Sequence, residues 1–222
     1  MKKTILTILT GAALALGSAQ ADIVFGNLGT DGAAATGPTG GRNIATGSWS
    51  AIGFTTAAAA FDLNTVSFAF STLGNTTIVM DLYSNSGGNP GSFITRLGTE
   101  VIPLGTSYTN QRIDFTPNYG LSASTSYWLV GRATAGNGGT WIKNTANTIA
   151  GDQNSSGWTA LGVKQTSTSG AGWATSTGNA SYISLSVDAS NPIPEPGTWA
   201  AMAIFAGGAA YAGWRRRQQQ LA

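Results

Sequence analysis

The side chains singled out for possible chemistry in this chain are carboxylates and tryptophans, and it contains no histidine and no cysteine. Histidine-based triads, thiol nucleophiles, the usual zinc and copper sites and disulfides are therefore excluded. A pair of carboxylates alone can still hydrolyse a glycosidic bond, one as general acid and the other as nucleophile or base. Asp81 shares the Val79 and Tyr83 face of an alternating run, opposite Ile78, Met80 and Leu82, and is expected to be a solvated strand residue. Asp114 stands two residues from Arg112 on one strand face, which predicts a surface ion pair. Asp62, within FDLNT, reads as a turn residue. No catalytic residue is assigned, and the body is expected not to be an enzyme.

A resident cation would have to be calcium, held by loop carboxylates, amides and carbonyls. Its candidate ligands are Asp31, Asp62, Asn85, Asn89 and Asp152. None of them lies in a dense Asp-x-Asp-x pattern, and turn formation accounts for each, so no metal or cofactor is assigned. Trp49, Trp141, Trp158 and Trp173 sit in polar, glycine-rich surroundings and are the candidate ligand aromatics. Flat rings can stack on sugars while Asn and Thr bond the hydroxyls; the alternative is that these rings plug the ends of a two-layer fold.

The elements that must position these residues are strands. Val66, Phe68 and Phe70 alternate with Ser67, Ala69 and Ser71; Ile113 and Phe115 with Arg112 and Asp114; Ile183, Leu185 and Val187 with Ser184, Ser186 and Asp188. One face of each is expected in a core and the other in water. YWLV, Tyr127 to Val130, is apolar on both faces, as a strand in the middle of a two-layer packing should be. SNSGGNPG (Ser84 to Gly91), TPNYG (Thr116 to Gly120) and AGNGG (Ala135 to Gly139) are turn chemistry. No helical periodicity of useful length interrupts them. The fold class is all-β, an antiparallel β-sandwich of jelly-roll type, with strands placed only loosely between Gly151 and Gly172.

Both ends are targeting segments. Lys2 and Lys3, the apolar stretch Ile5 to Leu16 and the small-x-small site Ala19-Gln20-Ala21 predict a cleaved signal helix that leaves Asp22 as the first mature residue. Pro194, Glu195 and Pro196 precede Thr198 to Trp214, a stretch without charge, and Arg215, Arg216 and Arg217 close it. That stretch is expected to form a transmembrane helix, short and rich in alanine, with the arginines retained on the cytoplasmic side. The two prolines stiffen the peptide just outside the bilayer into an extended form that a processing enzyme could grip. Once five basic residues and Glu195 are assigned to these ends, six basic and eight acidic residues remain, so the body is mildly acidic. The basic isoelectric point thus reports topology, and nucleic acid is not an expected partner.

The tail, with PEPGTWA at Pro194 to Ala200, resembles the PEP-CTERM family of bacterial surface proteins. That resemblance implies recognition by an exosortase, an integral-membrane cysteine enzyme that cuts near the tripeptide and releases the mature protein outward. A second resemblance lies in the body. DLYSNSGGNPGSFITRLG (Asp81 to Gly98) and GLSASTSYWLVGRA (Gly120 to Ala133) are similar to the choice-of-anchor R domain, which covers roughly Thr65 to Ala133 and implies fold and location without a ligand. Gly131-Arg132 after YWLV is a departure from its pattern.

The expected organisation is a signal peptide over 1–21, a β-domain over 22–189, and a linker, sorting motif, span and basic tail over 190–222. The expected function is that of a non-enzymatic surface or matrix protein of a Gram-negative-type bacterium, passing through the inner membrane and then associated with exopolysaccharide. Its Ser/Thr-rich surface could carry glycans. The alternative is a carbohydrate-binding adhesion module with a permanent C-terminal membrane anchor.

Overall fold

A computed structural model describes residues 22–26, 28, 41–72, 74–105, 108–142, 157–175, 185–190 and 216–219. The described strands are β1 (Asp22–Gly26), β2 (Gly41–Ile44), β3 (Trp49–Thr55), β4 (Phe61–Thr72), β5 (Thr76–Ser86), β6 (Asn89–Ile102), β7 (Tyr108–Phe115), β8 (Tyr119–Leu121), β9 (Ser126–Gly136), β10 (Gly139–Ile142), β11 (Thr159–Thr166), β12 (Ala174–Thr175) and β13 (Leu185–Ser190). They form two sheets in which every described pairing is antiparallel. The seven-stranded sheet runs β1-β13-β4-β10-β2, with β7 and β8 also paired to β4. The six-stranded sheet runs β12-β11-β3-β9-β5-β6. The all-β, antiparallel class expected from alternation is therefore observed.

One hydrophobic cluster draws on both sheets. Val66, Phe68 and Phe70 of β4, Ile113 and Phe115 of β7 and Val187 of β13 meet Ile52 and Phe54 of β3, Ile78, Met80 and Leu82 of β5 and Leu129 of β9. The alternating apolar residues are thus the ones removed from water, at about 25 cal/mol per Å² of buried surface. Gly98 of β6 lies under the ring of Phe115, and a Cβ there would overlap that ring. Only glycine lets β6 and β7 approach so closely.

The β5–β6 hairpin shows how a turn signal resolves. Of the eight residues SNSGGNPG, only Gly87 and Gly88 form the loop, both with positive φ (57° and 77°), while Ser86 pairs with Asn89 and Asn85 with Pro90. Two consecutive residues at positive φ make a primed turn, whose twist matches that of the flanking strands and which glycine adopts without strain. YWLV lies on β9, between β3 and β5, and all four of its side chains are buried.

Three expectations are corrected. The outer side of β4 is not wet: Ser67 and Ala69 are buried, and Ala69 packs with Leu28 and Ile142. Leu28 and Ile142 lie against that side of β4 and take it out of water. Asp62 does not sit in a turn but inside β4, opposite Gly120 and Ser190. Asp81 is the third and is described with its partners below.

The chain divides into two compact units, residues 1–191 and 192–222. Among the described residues no helix is long and apolar enough to cross a membrane. The expected signal helix over 1–21, the tripeptide and the expected span over Thr198 to Trp214 lie outside the described residues.

Candidate functional site

Asp81 belongs to β5, and the register of its neighbours explains its setting. Arg96 of β6 is its direct partner on one side and Val130 of β9 on the other, while Arg132 is the next outward-facing residue along β9. The Asp81 side chain has no exposed surface. Its Oδ1 accepts a hydrogen bond from Arg96 Nε at 2.9 Å. Its Oδ2 accepts a hydrogen bond from Arg132 Nε at 2.9 Å and lies 2.8 Å from Arg132 Nη2 within the same ion pair. The expectation of a solvated carboxylate is therefore overturned: β5 is interior to its sheet, and two long side chains close over the group. A buried carboxylate needs such partners, since an isolated charge would cost several kcal/mol to desolvate.

Around this cluster lies an aromatic shell on the outer face of the six-stranded sheet. The Arg132 guanidinium carbon is 4.9 Å from the centre of the Trp49 ring, within cation–π range. Trp128, next to Tyr83 in register, is fully buried and donates from Nε1 to Asn85 Oδ1 at 2.9 Å. Trp49, Tyr83 and Trp173 pack on Ala51, Trp128 and Val130 as a second apolar cluster, separate from the shared core. Tyr83 meets Phe93 edge-on at 5.7 Å, and Phe93 is 53 % exposed. Burial, and then the charge of Asp81, push the Tyr83 phenol above its ordinary value, with Arg132 and Arg96 opposing.

The four candidate tryptophans separate into two pairs. Trp141 and Trp158 are buried in the shared core, Trp141 edge-on to Phe68 and Trp158 stacked on Phe54 at 5.1 Å. As ligand platforms they are corrected: no sugar can reach either ring. Trp49 and Trp173 are half-buried and belong to the outer cluster. Residues missed in the sequence are Arg96, Arg132, Tyr83, Phe93 and Trp128. One signal was present, since a strand apolar on both faces needs cover on its outer side, and β9 carries both Trp128 and Arg132.

The expected ion pair on β7 is present, with Arg112 Nε 2.6 Å from Asp114 Oδ1. Arg112 Nη2 also donates to Ser67 Oγ at 2.8 Å. An open groove of about 150 Å³ beside it is lined by Glu100, Gln111, Arg112, Ile113 and Asp114. Of the calcium candidates, Asp62 lies in β4, and Asn85 and Asn89 flank the β5–β6 turn; Asp31 and Asp152 lie outside the described residues. Among the described residues no three His, Cys, Asp or Glu side chains gather where a metal could be held.

At the other end of the chain, a four-residue helical turn over 216–219 exposes Arg216 and Arg217, and Arg215 lies outside the described residues. Ala19 and Ala21 lie outside them too. Residues 192–217 match the PEP-CTERM protein-sorting motif. The matched stretch contains Pro194, Glu195, Pro196 and Arg215 to Arg217. It is the signal of an exported protein processed by an exosortase. No curated protein and no solved structure matches the chain.

Proposed function

We propose that this is an exported, non-enzymatic surface or extracellular-matrix protein, sorted through its C-terminal motif and associated with exopolysaccharide. The observation that carries the proposal is the sorting-motif match over residues 192–217. In sequence, Thr198 to Trp214 holds the chain in the inner membrane as a short span while an exosortase cuts near Pro194 to Pro196. The product is left at the surface of a Gram-negative-type bacterium, beginning at Asp22 after cleavage behind Ala21.

For the body we infer a two-layer β-sandwich of jelly-roll type, supported by the core that both sheets share. Its likeness to the choice-of-anchor R domain fits a display module. Two features favour a non-enzymatic body. The sequence has no histidine or cysteine, and the fully buried carboxylate Asp81 has both oxygens occupied by arginines, which leaves it unable to serve as general acid or base.

The test replaces Pro194, Glu195 and Pro196 by alanine and maps C-terminal peptides of both proteins. Wild type at the cell surface should lack Trp199 to Ala222, whereas the variant should accumulate in the inner membrane at full C-terminal length. An intact C-terminus on surface-exposed wild type would instead establish a permanent anchor and defeat the processing step.

A further inference from the structure

Charge is divided unevenly between the two sheets. Among the residues with described side chains, the strands of the seven-stranded sheet carry Asp62 and Asp114 against Arg42 and Arg112. Those of the six-stranded sheet carry Arg96, Arg132 and Lys164 against Asp81 and Glu100. The six-stranded sheet thus has a net of one positive charge, and the register places Lys164, Ala51, Val130, Asp81 and Arg96 in one row across it.

The arrangement at Asp81 uses little of the donor capacity it organises. Arg96 spends only Nε on the carboxylate, and both of its terminal nitrogens are without a partner among the described residues, on a side chain that is 43 % exposed. Arg132 spends Nε and Nη2 and keeps Nη1. Because both guanidinium groups sit on the two oxygens of one buried carboxylate, they are neighbours whose orientation is fixed before any ligand arrives. Fixed forks of this kind match a carboxylate bidentately and spare the entropy that mobile side chains would lose on binding. Two cations on one anion leave the cluster with surplus positive charge.

Phe93 and Tyr83 occupy the adjacent row of the same outer face, because Tyr83 pairs with Phe93 as Asp81 pairs with Arg96. The Tyr83 hydroxyl has no partner among the described residues, and the Phe93 ring is open to solvent. An exposed aromatic ring beside oriented guanidinium groups suits a ligand with a flat apolar face and a carboxylate on the same ring. That combination describes a uronic acid. A neutral sugar would leave both arginines without a counter-charge, and a nucleic acid needs a longer stripe of cations than this face holds.

We propose that the outer face of the six-stranded sheet binds uronate-bearing polysaccharide, with Arg96 and Arg132 holding the carboxylate and Phe93 and Tyr83 supporting the sugar ring. This deepens the matrix association proposed above and rests on it. The ligand is recognised by its charge and ring together, so binding weakens with salt and requires Phe93 as well as Arg96.

The experiment titrates polygalacturonate oligosaccharide into the full chain held in detergent-free phosphatidylcholine nanodiscs by calorimetry, with dextran of equal length and phosphatidylglycerol vesicles as parallel arms. Polygalacturonate should bind, dextran should not, and vesicles should bind no better than they do to the Arg96→Gln variant. Arg96→Gln should weaken polygalacturonate about tenfold, the cost of one charge-assisted hydrogen-bond pair, and Phe93→Ala severalfold. Asp81 retains Arg132 in that variant, so a cooperative melting transition, even at lower Tm, certifies the fold. Dextran binding as well as polygalacturonate, vesicle binding lost in Arg96→Gln without polygalacturonate binding, or an Arg96→Gln affinity equal to wild type would each overturn the site. Absent polygalacturonate binding in a protein that is still cut at its tail removes this site alone. Binding by a protein that is never cut removes only the sorting step.

Discussion

Asp81 and Asp114 are both strand aspartates on the outer face of a sheet, and both meet arginine, yet their surroundings differ in kind. Asp114 is half exposed, its arginine lies two residues away on the same strand, and water can replace either partner. Asp81 has no exposed surface, and its arginines come from the two strands on either side, 15 and 51 residues distant. The first is an ornament of β7. The second is a pin through β6, β5 and β9, and the contrast shows that the cost of losing a charge pair follows burial and not the number of hydrogen bonds drawn.

The largest expected difference comes from removing the acids. Asp81→Ala leaves two guanidinium groups facing each other over a buried gap and should cost about 3 kcal/mol, the lower end for breaking a buried pair because both arginines can still reach solvent. In a chain of this size that lowers Tm by roughly 9 °C. Asp114→Ala should cost about 0.5 kcal/mol, within reach of the scatter among surface pairs. Calorimetric melts of the two variants side by side check this, and equal losses would erase the distinction between pin and ornament.

The smallest expected effects lie in pH, and they point in opposite directions for the two regions. At Asp114 burial alone would raise the carboxyl, but hydrogen bonds from Arg112 and Ser67 and the charge of Arg112 outweigh it and hold it below its ordinary value. Its contribution is therefore present above the unfolded carboxylate value of about 3.9 and is lost as pH falls through the lower folded value. The Tm gap between wild type and Asp114→Asn should close in acid. Next to Asp81, Tyr83 is shifted upward. Its contribution is present below the unfolded phenol value of about 10 and is lost as pH rises through the higher folded value. Tyr83→Phe should therefore gain on wild type only in alkali, and a gain at acid pH would contradict the assigned cause.

The same contrast marks what could be read from the chain. Strand identity was legible because alternation is a local property, as in Ile113 and Phe115 against Arg112 and Asp114. The Arg112–Asp114 pair was legible for the same reason. The Asp81 cluster was not, because its partners follow from register, and β6 slips relative to β5 between Met80 and Asp81, where Leu97 is an extra residue. Local alternation also failed for Asp81 by treating the face opposite the core as open, when Trp128, Val130 and Val79 make that face a second buried layer. The tryptophans divided on a similar point: glycine and asparagine around Trp141 and Trp158 report nearby turns, whereas burial is decided by the distant strands packed above them. The tail needed no register, since an ordered tripeptide and basic cluster are properties of the chain alone.

The pairing of β1 with β13 places the first strand of the body beside the last, Asp22 opposite Ala189. β13 is also the strand that joins β1 to β4, so β1 cannot take its place in the seven-stranded sheet until residues 185–190 are present. Contacts of such long sequence separation form slowly. The topology thereby makes the β1–β13 pairing a late step of folding, which β4 can precede by pairing with β7, β8 and β10.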